Sequence, residues 1–423
     1  MLMAHESGRL HPARSYEVYY EAGNRLQALG ISLPPEARVL EVQAPWAKMS
    51  VDVLAEVLVP SGFVHAGAGT SEALEVIDRV WQENDMDSQF ALAAQEALVR
   101  GCAYWVLEPP LVEGGLPVVR AMGADRVSAR IDYRGEVVEA VAVYRLREDD
   151  PQLNGATYYT PGGVVFYELV SGHWVDTGRG REDRFGGAAI VPMFNRARLG
   201  DVYGRSELAE LAPVIDAASR TLTNLAAGQE VAMWPLRILF GKGAEKAVSS
   251  GRRIRNYIGA FLGGPEHGSA AQLTGADVNP VLALLRTYAL QVSAMTGIPP
   301  SMMGVSTDSN PTSAEALRVA KDRLITRAEG KQRQFGDSLE RLGRLFCRMC
   351  GVVLPEPERL EVQWRDAATP SASSLMAAML QAYQEGVVGG ATVREYMRLT
   401  PQQKAREDAR SGDEDAMAGV VVG

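Results

Sequence analysis

The feature that most restricts this chain is one uninterrupted helical pattern running from about Ser313 to Cys350. Leu317, Ala320, Leu324 and Ala328, followed by Phe335, Leu339, Leu342 and Phe346, keep a single apolar face at helical spacing. Its start is well marked. Thr312 stands at the cap position and Glu315, three residues on, completes a capping box behind Pro311. At 1.5 Å per residue the helix reaches roughly 55 Å. A rod of that length needs packing partners along its course, so the rest of the chain must supply them. Gly330, Gly336 and Gly343 weaken it and leave it free to bend.

The partners differ in type along the chain. Residues 16–29, 46–58, 71–83 and 87–100 read as short amphipathic helices, the last stopping at Gly101. Then the period changes to that of strands. CAYWVLE (102–108), PVVRAM (117–122), DRVSARID (125–132) and EVVEAVAVYRL (136–146) are rich in valine and aromatics, with turn residues between them. ATYYT, GVVFYELV and HWVDTG continue the pattern, which predicts an antiparallel meander. GRGREDRFGG (178–187) is expected to be a loop. From Ser206 the helical period returns: Leu208, Leu211, Ile215, Ala218, Leu222 and Leu225 are spaced 3, 4, 3, 4 and 3, a stripe suited to helix-on-helix packing. Pro213 lies inside it, so the helix either kinks or begins there. A mixed, glycine-containing stretch follows, then a second apolar helix over 280–296, ended by Gly297 and Pro299-Pro300. RLEVQW (359–364) reads as a strand, and 372–385 and 392–399 as helices. The class is α+β.

Sites for chemistry are sparse in the sequence. The five histidines show no metal-ligand spacing, and Gly241-Lys242-Gly243 lacks the frame of a phosphate loop. Asp85 with Asp87, and Asp149 with Asp150, are carboxylate neighbours of the kind found in solvated turns; a two-metal nuclease is the alternative reading. Cys347 and Cys350 form a lone C-x-x-C at a helix end with no second pair, so reduced thiols are expected, and neither metal nor cofactor. The opening residues lack a basic start followed by an apolar run, and no stretch approaches the roughly 18 apolar residues that span a bilayer.

Charge is unevenly placed. The net charge is -9, which argues against a protein whose main task is to grip DNA. Lys242, Lys246, Arg252, Arg253 and Arg255 face Glu245 alone between 241 and 255, and nine cations face five acids between 313 and 350. Each segment is therefore +4, leaving -17 for the rest. Between the second apolar helix and the long one lies GIPPSMMGVSTDSNPTS (297–313), polar and bounded by prolines: a connector, or a loop projecting from a helical wall.

The order of these pieces resembles the portal proteins of tailed bacteriophages, over roughly residues 16–400. "IVPMFNRARLGDVYGRSELAELAPVIDAASRTLTNL" (190–225) is similar to the passage from strand-rich wing to first stem helix. "SAMTGIPPSMMGVSTDSNPTSAEALRVAKDRL" (293–324) is similar to the end of the second stem helix, the tunnel loop and the helix beyond. Ala314 stands where many relatives have glycine.

The resemblance implies a portal fold: flexible N-terminus 1–15, wing 16–204, first stem helix 205–230, clip 231–278, second stem helix 279–296, tunnel loop 297–312, long helix 313–350, upper wing and crown 351–400, flexible tail 401–423. It implies a non-enzymatic subunit of a dodecameric ring at one capsid vertex, made in the host cytoplasm, that passes double-stranded DNA without sequence preference. Its partners would be other copies of itself, the large terminase subunit, a head-completion or tail adaptor protein, and the major capsid and scaffolding proteins. Met302, Met303, Ser306, Thr307, Asp308 and Asn310 would lie in the tunnel loop, with Arg318 and Lys321 guiding DNA beside it. Lys242, Lys246, Arg252, Arg253 and Arg255 would form the docking face of the clip. Leu208, Leu211, Ile215, Leu222 and Leu225 would pack copy against copy. The rival readings are another structural head protein, or a phage nuclease or hydrolase on scattered carboxylates.

Overall fold

The long apolar period becomes a single 36-residue helix in a computed structural model of the chain. The structure describes residues 16–23, 26, 40–65, 72–110, 112, 115–133, 135–146, 153–182, 188–233, 237–240, 261–264, 269–272, 278–304, 314–354, 359–368 and 379–387. The helices are α1 (Glu17–Tyr20), α2 (Trp46–Ala55), α3 (Glu72–Glu83), α4 (Met86–Arg100), α5 (Ala212–Met233), α6 (Asn279–Thr296) and α7 (Ala314–Met349). All three glycines stay inside a continuous α7, and Gly343 leaves room for Leu360 to lie against the helix. The capping pair Thr312 and Glu315 falls outside the described residues and side chains.

The strand block forms two sheets. β2 (Cys102–Glu108) is central to one, flanked by β3 (Val118–Gly123) and β9 (Ile190–Phe194) in the order β3-β2-β9. The other is the expected meander of consecutive strands: β4 (Val127–Ile131), β5 (Val137–Tyr144), β6 (Gly155–Thr160), β7 (Gly163–Val170) and β8 (His173–Glu182). β8 corrects one expectation. Gly178–Glu182 continue the strand, with Gly180 opposite Val165 and Glu182 opposite Gly163. The side chains of this edge strand nearly all face solvent, so its last residues are held mainly by the backbone ladder and carry no apolar alternation to read. β1 (Pro60–His65) was not legible either. Ser61-Gly62 interrupt its pattern, and its partner β13 (Leu360–Trp364) lies about three hundred residues away.

One core joins these parts. Trp105 and Tyr104 of β2, Phe90 of α4, and Phe335 and Phe346 of α7 are its largest fully buried side chains. A smaller cluster of Val141, Val143 and Ala156 sits in the meander. Contacts within residues 1–367 define one unit and those within 368–423 a second, whose described part includes a helical stretch at 379–384.

α5 begins at Ala212 with Pro213 in its first turn, which decides between the two readings of that proline. Leu208 therefore belongs to a preceding 3-10 turn, Glu207–Ala209, capped by the Ser206 hydroxyl accepting from the Leu208 N–H at 3.1 Å. The apolar stripe is thus split. Leu208, Leu211 and Ile215 are buried in the chain's own core and cannot pack against another copy, while Leu222 and Leu225 are half-buried. A 3, 4 spacing suits a neighbour in the same chain as well as one in another, so the spacing alone could not assign the partner. Between α5 and α6 the chain forms a small sheet: β10 (Arg237–Phe240) lies parallel to β11 (Phe261–Gly264) and antiparallel to β12 (Ser269–Gln272).

Candidate functional site

α5 and α6 pack on each other as a pair with very little charge. Arg286 is the single ionisable side chain among the 18 residues of α6, apart from Tyr288. α5 carries Asp216, Arg220 and Glu230 in 22. Val278 just before α6, and Leu282, Leu284 and Leu290 within it, stand 38–50% exposed. Helices this apolar on their outer sides are normally covered.

The root of the pair is built in the opposite way. There the Glu207 carboxylate is largely buried and receives Lys331 Nζ at 2.7 Å, Arg327 Nη2 at 2.6 Å and Asn195 Nδ2 at 3.0 Å. Burial pushes this carboxyl up, but the charges of Lys331 and Arg327 outweigh it and hold the group below the ordinary glutamate range. Lys331 also donates to Asn195 Oδ1, and Arg327 Nη1 donates to the carbonyl of Thr296, the last residue of α6. Two cations thus serve one carboxylate plus the negative end of a helix dipole, which balances the cluster. α7, the 3-10 turn before α5, the end of α6 and the residue after β9 meet at this point.

Local geometry places Asn195. Its N–H donates to Gly101 O at 2.8 Å, and the Arg205 N–H donates to Asn195 O at 2.7 Å. Gly101 (φ +91°) and Gly204 (φ +82°) cross so closely that a Cβ on Gly204 would collide with the Gly101 carbonyl. The other flank of α5 is pinned by Tyr19, whose hydroxyl donates to Asp216 Oδ2 at 2.9 Å. Ala44 N–H donates to Ser219 Oγ and Val42 N–H to Thr223 Oγ1, both at 3.0 Å.

Of the residues singled out from the sequence, Met303 is corrected. Pro300–Met303 form a 3-10 turn that folds its thioether into the core, so it does not face a channel; Met302 is exposed. Lys321 is half-buried on α7. Ser306, Thr307, Asp308, Asn310 and the side chain of Arg318 fall outside the described residues, as do Lys242, Lys246, Arg252, Arg253 and Arg255. The Glu207 cluster was missed. Arg327 and Lys331 were visible only as part of a cation excess, and partners 120 and 136 residues away leave no spacing signal. Burial pushes the thiols of Cys102 and Cys347 up, to about 12 and about 11, which keeps them protonated and unreactive. Among the described residues no group of His, Cys, Asp or Glu is placed to hold a metal ion.

Fold and site together define an α+β protein in which a long helix anchors a weakly charged helix pair at a charged root. The family described as "Phage portal protein, SPP1 Gp6-like" matches residues 3–415. The portal protein of Mycobacterium phage D29 is 32% identical over 422 residues, covering 96% of this chain and 86% of that one; for Mycobacterium phage L5 the figures are 32%, 417 residues, 95% and 84%. A chain in the neck of an empty gene transfer agent particle, computed with C6 symmetry, shares the fold at 16% identity and a TM-score of 0.50, covering 92% of this chain and 94% of its own. A chain of the native particle's virion gives 16% and 0.48. The chain belongs to the SPP1 Gp6-like phage portal protein family, whose members are structural and not enzymes.

Proposed function

We propose that this chain is the ring subunit of a portal vertex, forming the channel through which double-stranded DNA enters and leaves a capsid. The observation that carries the reading is the α5–α6 pair. Its outer leucines are exposed in the single chain, and copies arranged side by side about an axis would cover them while the charged root holds each pair at a fixed angle. α5 and α6 then serve as stem helices, the β10–β12 sheet and residues around it as the clip, and the strand sheets as the wing. Twelve copies, host-cytoplasmic assembly, and contacts with capsid and scaffolding proteins belong to the same proposal. So does docking of the large terminase subunit and then a tail adaptor on the clip cations Lys242, Lys246, Arg252, Arg253 and Arg255.

The net charge of -9 suits a conduit, because an excess of negative charge repels the phosphate backbone and lets a duplex slide. In this reading the tunnel loop spans 297–312, with Met303 turned away from the channel into the core. A Ser306→Cys variant carrying a photo-crosslinker, with DNA stalled during packaging, is expected to crosslink to DNA, whereas the same probe at Asp149 is not. Equal labelling at both positions, or none at Ser306, would remove this segment from the channel.

A further inference from the structure

We propose that α1 is a clasp: a short segment that opens without unfolding the chain and that, when closed, holds α5 in one position against α2 and α4. The clasp belongs to the single chain and does not depend on the ring reading.

Three side chains of α1 reach three helices. Glu17 Oε2 meets Arg100 Nη2 of α4 at 2.5 Å. The Tyr19 hydroxyl donates to Asp216 Oδ2 of α5 at 2.9 Å, and the Tyr20 hydroxyl to Asp52 Oδ1 of α2 at 2.8 Å. Tyr20 also accepts from Lys48 Nζ of α2 at 2.7 Å and from Gln95 Nε2 of α4. These bonds can form together only while α2, α4 and α5 keep this arrangement. Closing the clasp therefore favours this placement of α5, and by the same linkage displacing α5 opens the clasp.

Little else holds α1 in place. None of its residues is buried, and a helix of about one turn has no stability of its own. A cleft of about 410 Å³ remains between Tyr19, Tyr20, Ala44, Pro45 and Lys48, so α1 is not close-packed on what lies beneath it. The turn that ends it is strained: Ala22 has φ +53°, the left-handed conformation that glycine usually supplies at a helix end.

The groups that α1 binds on α2 and α4 are already paired. Lys48 Nζ lies 3.0 Å from Asp52 Oδ2, Gln95 Nε2 donates to Asp52 Oδ1 at 2.9 Å, and Arg100 pairs with Glu96. When α1 lifts, none of these four loses its last partner, so opening avoids the cost of orphaning a charge. The Glu207 root is built the other way, with Lys331 and Arg327 converging on one largely buried carboxylate. α5 also keeps the bonds to Ser219 from Ala44 and to Thr223 from Val42, so opening loosens its first turns without detaching it.

The test uses the full chain. The amides of 21–23 bond back to the carbonyls of Glu17, Tyr19 and Val18. They are expected to exchange hydrogen at least about a hundredfold faster than the amides of α4, with little dependence on urea, as local opening does. Tyr19→Phe is expected to speed them by roughly fivefold, the equivalent of one hydrogen bond. Ala22→Gly, which relieves the left-handed turn, is expected to slow them by about the same factor. Spin labels at Asn224→Cys on α5 and Leu92→Cys on α4 read the position of α5. They are placed in chains carrying Cys350→Ser, since Cys102 and Cys347 are buried, and diluted into unlabelled protein. The distance distribution is expected to be narrow with α1 intact and broader when Glu17→Gln, Tyr19→Phe and Tyr20→Phe are combined. Amides of 21–23 as protected as those of α4, rates that either single variant fails to move in its stated direction, or a distribution unchanged by the triple variant overturns the inference, whether or not the chain forms rings.

Discussion

Glu207→Leu is expected to destabilise the folded chain by on the order of 3 kcal/mol, because it leaves Lys331 largely buried beside no counter-charge and takes an acceptor from Asn195. Both partners lie in the interior, so water cannot replace the lost carboxylate. Removing Lys331 as well, as Glu207→Leu with Lys331→Met, should recover much of the loss, since an apolar pair of similar volume carries no uncompensated charge. Glu207→Gln should act in the same direction but less. pH separates charge from shape. The folded-state carboxyl titrates below its ordinary value of 4.5, so its stabilising effect is complete above that value and is lost as pH falls through the depressed one. The gap between the parent chain and Glu207→Gln should therefore be full at neutral pH and close under acid. Urea unfolding across that range measures it; a gap independent of pH would mean that the carboxylate contributes only packing.

Leu282→Glu combined with Leu290→Glu is expected to leave the chain folded and monomeric. Both side chains are exposed in the single subunit, where such changes typically alter stability by no more than about 0.5 kcal/mol. In a ring each glutamate would be buried against a neighbour's helix, costing several kcal/mol at every interface. Sedimentation velocity should show one slow species with unchanged circular dichroism. Persistence of the parent's fast-sedimenting species would show that α6 does not face another copy.

The contrast between α6 and α5 explains what the sequence could and could not tell. Where a pattern is local its outcome was legible: α4 ending at Gly101, α6 ending at Gly297, the consecutive strands of the meander and the full length of α7 each follow from residues within a few positions. Non-local elements were not. β1 depends on β13, and the last residues of β8 on the backbone of β7. The stripe from Leu208 to Leu225 gave a true apolar face but not its partner. The structure buries its first half within the chain, and the more exposed leucines of the helix pair lie on α6, whose near lack of charge is itself visible in the sequence. The charged root combines Asn195 and Glu207 with Arg327 and Lys331, more than a hundred residues away, and only the cation excess of α7 hinted at it.

Electron microscopy of the purified full-length chain tests the central claim most directly. Class averages are predicted to show closed rings with a central opening wide enough for a DNA duplex and a narrower end formed by the α5–α6 pairs. Particles that remain single chains or dimers at every concentration, or rings without an opening, would contradict it.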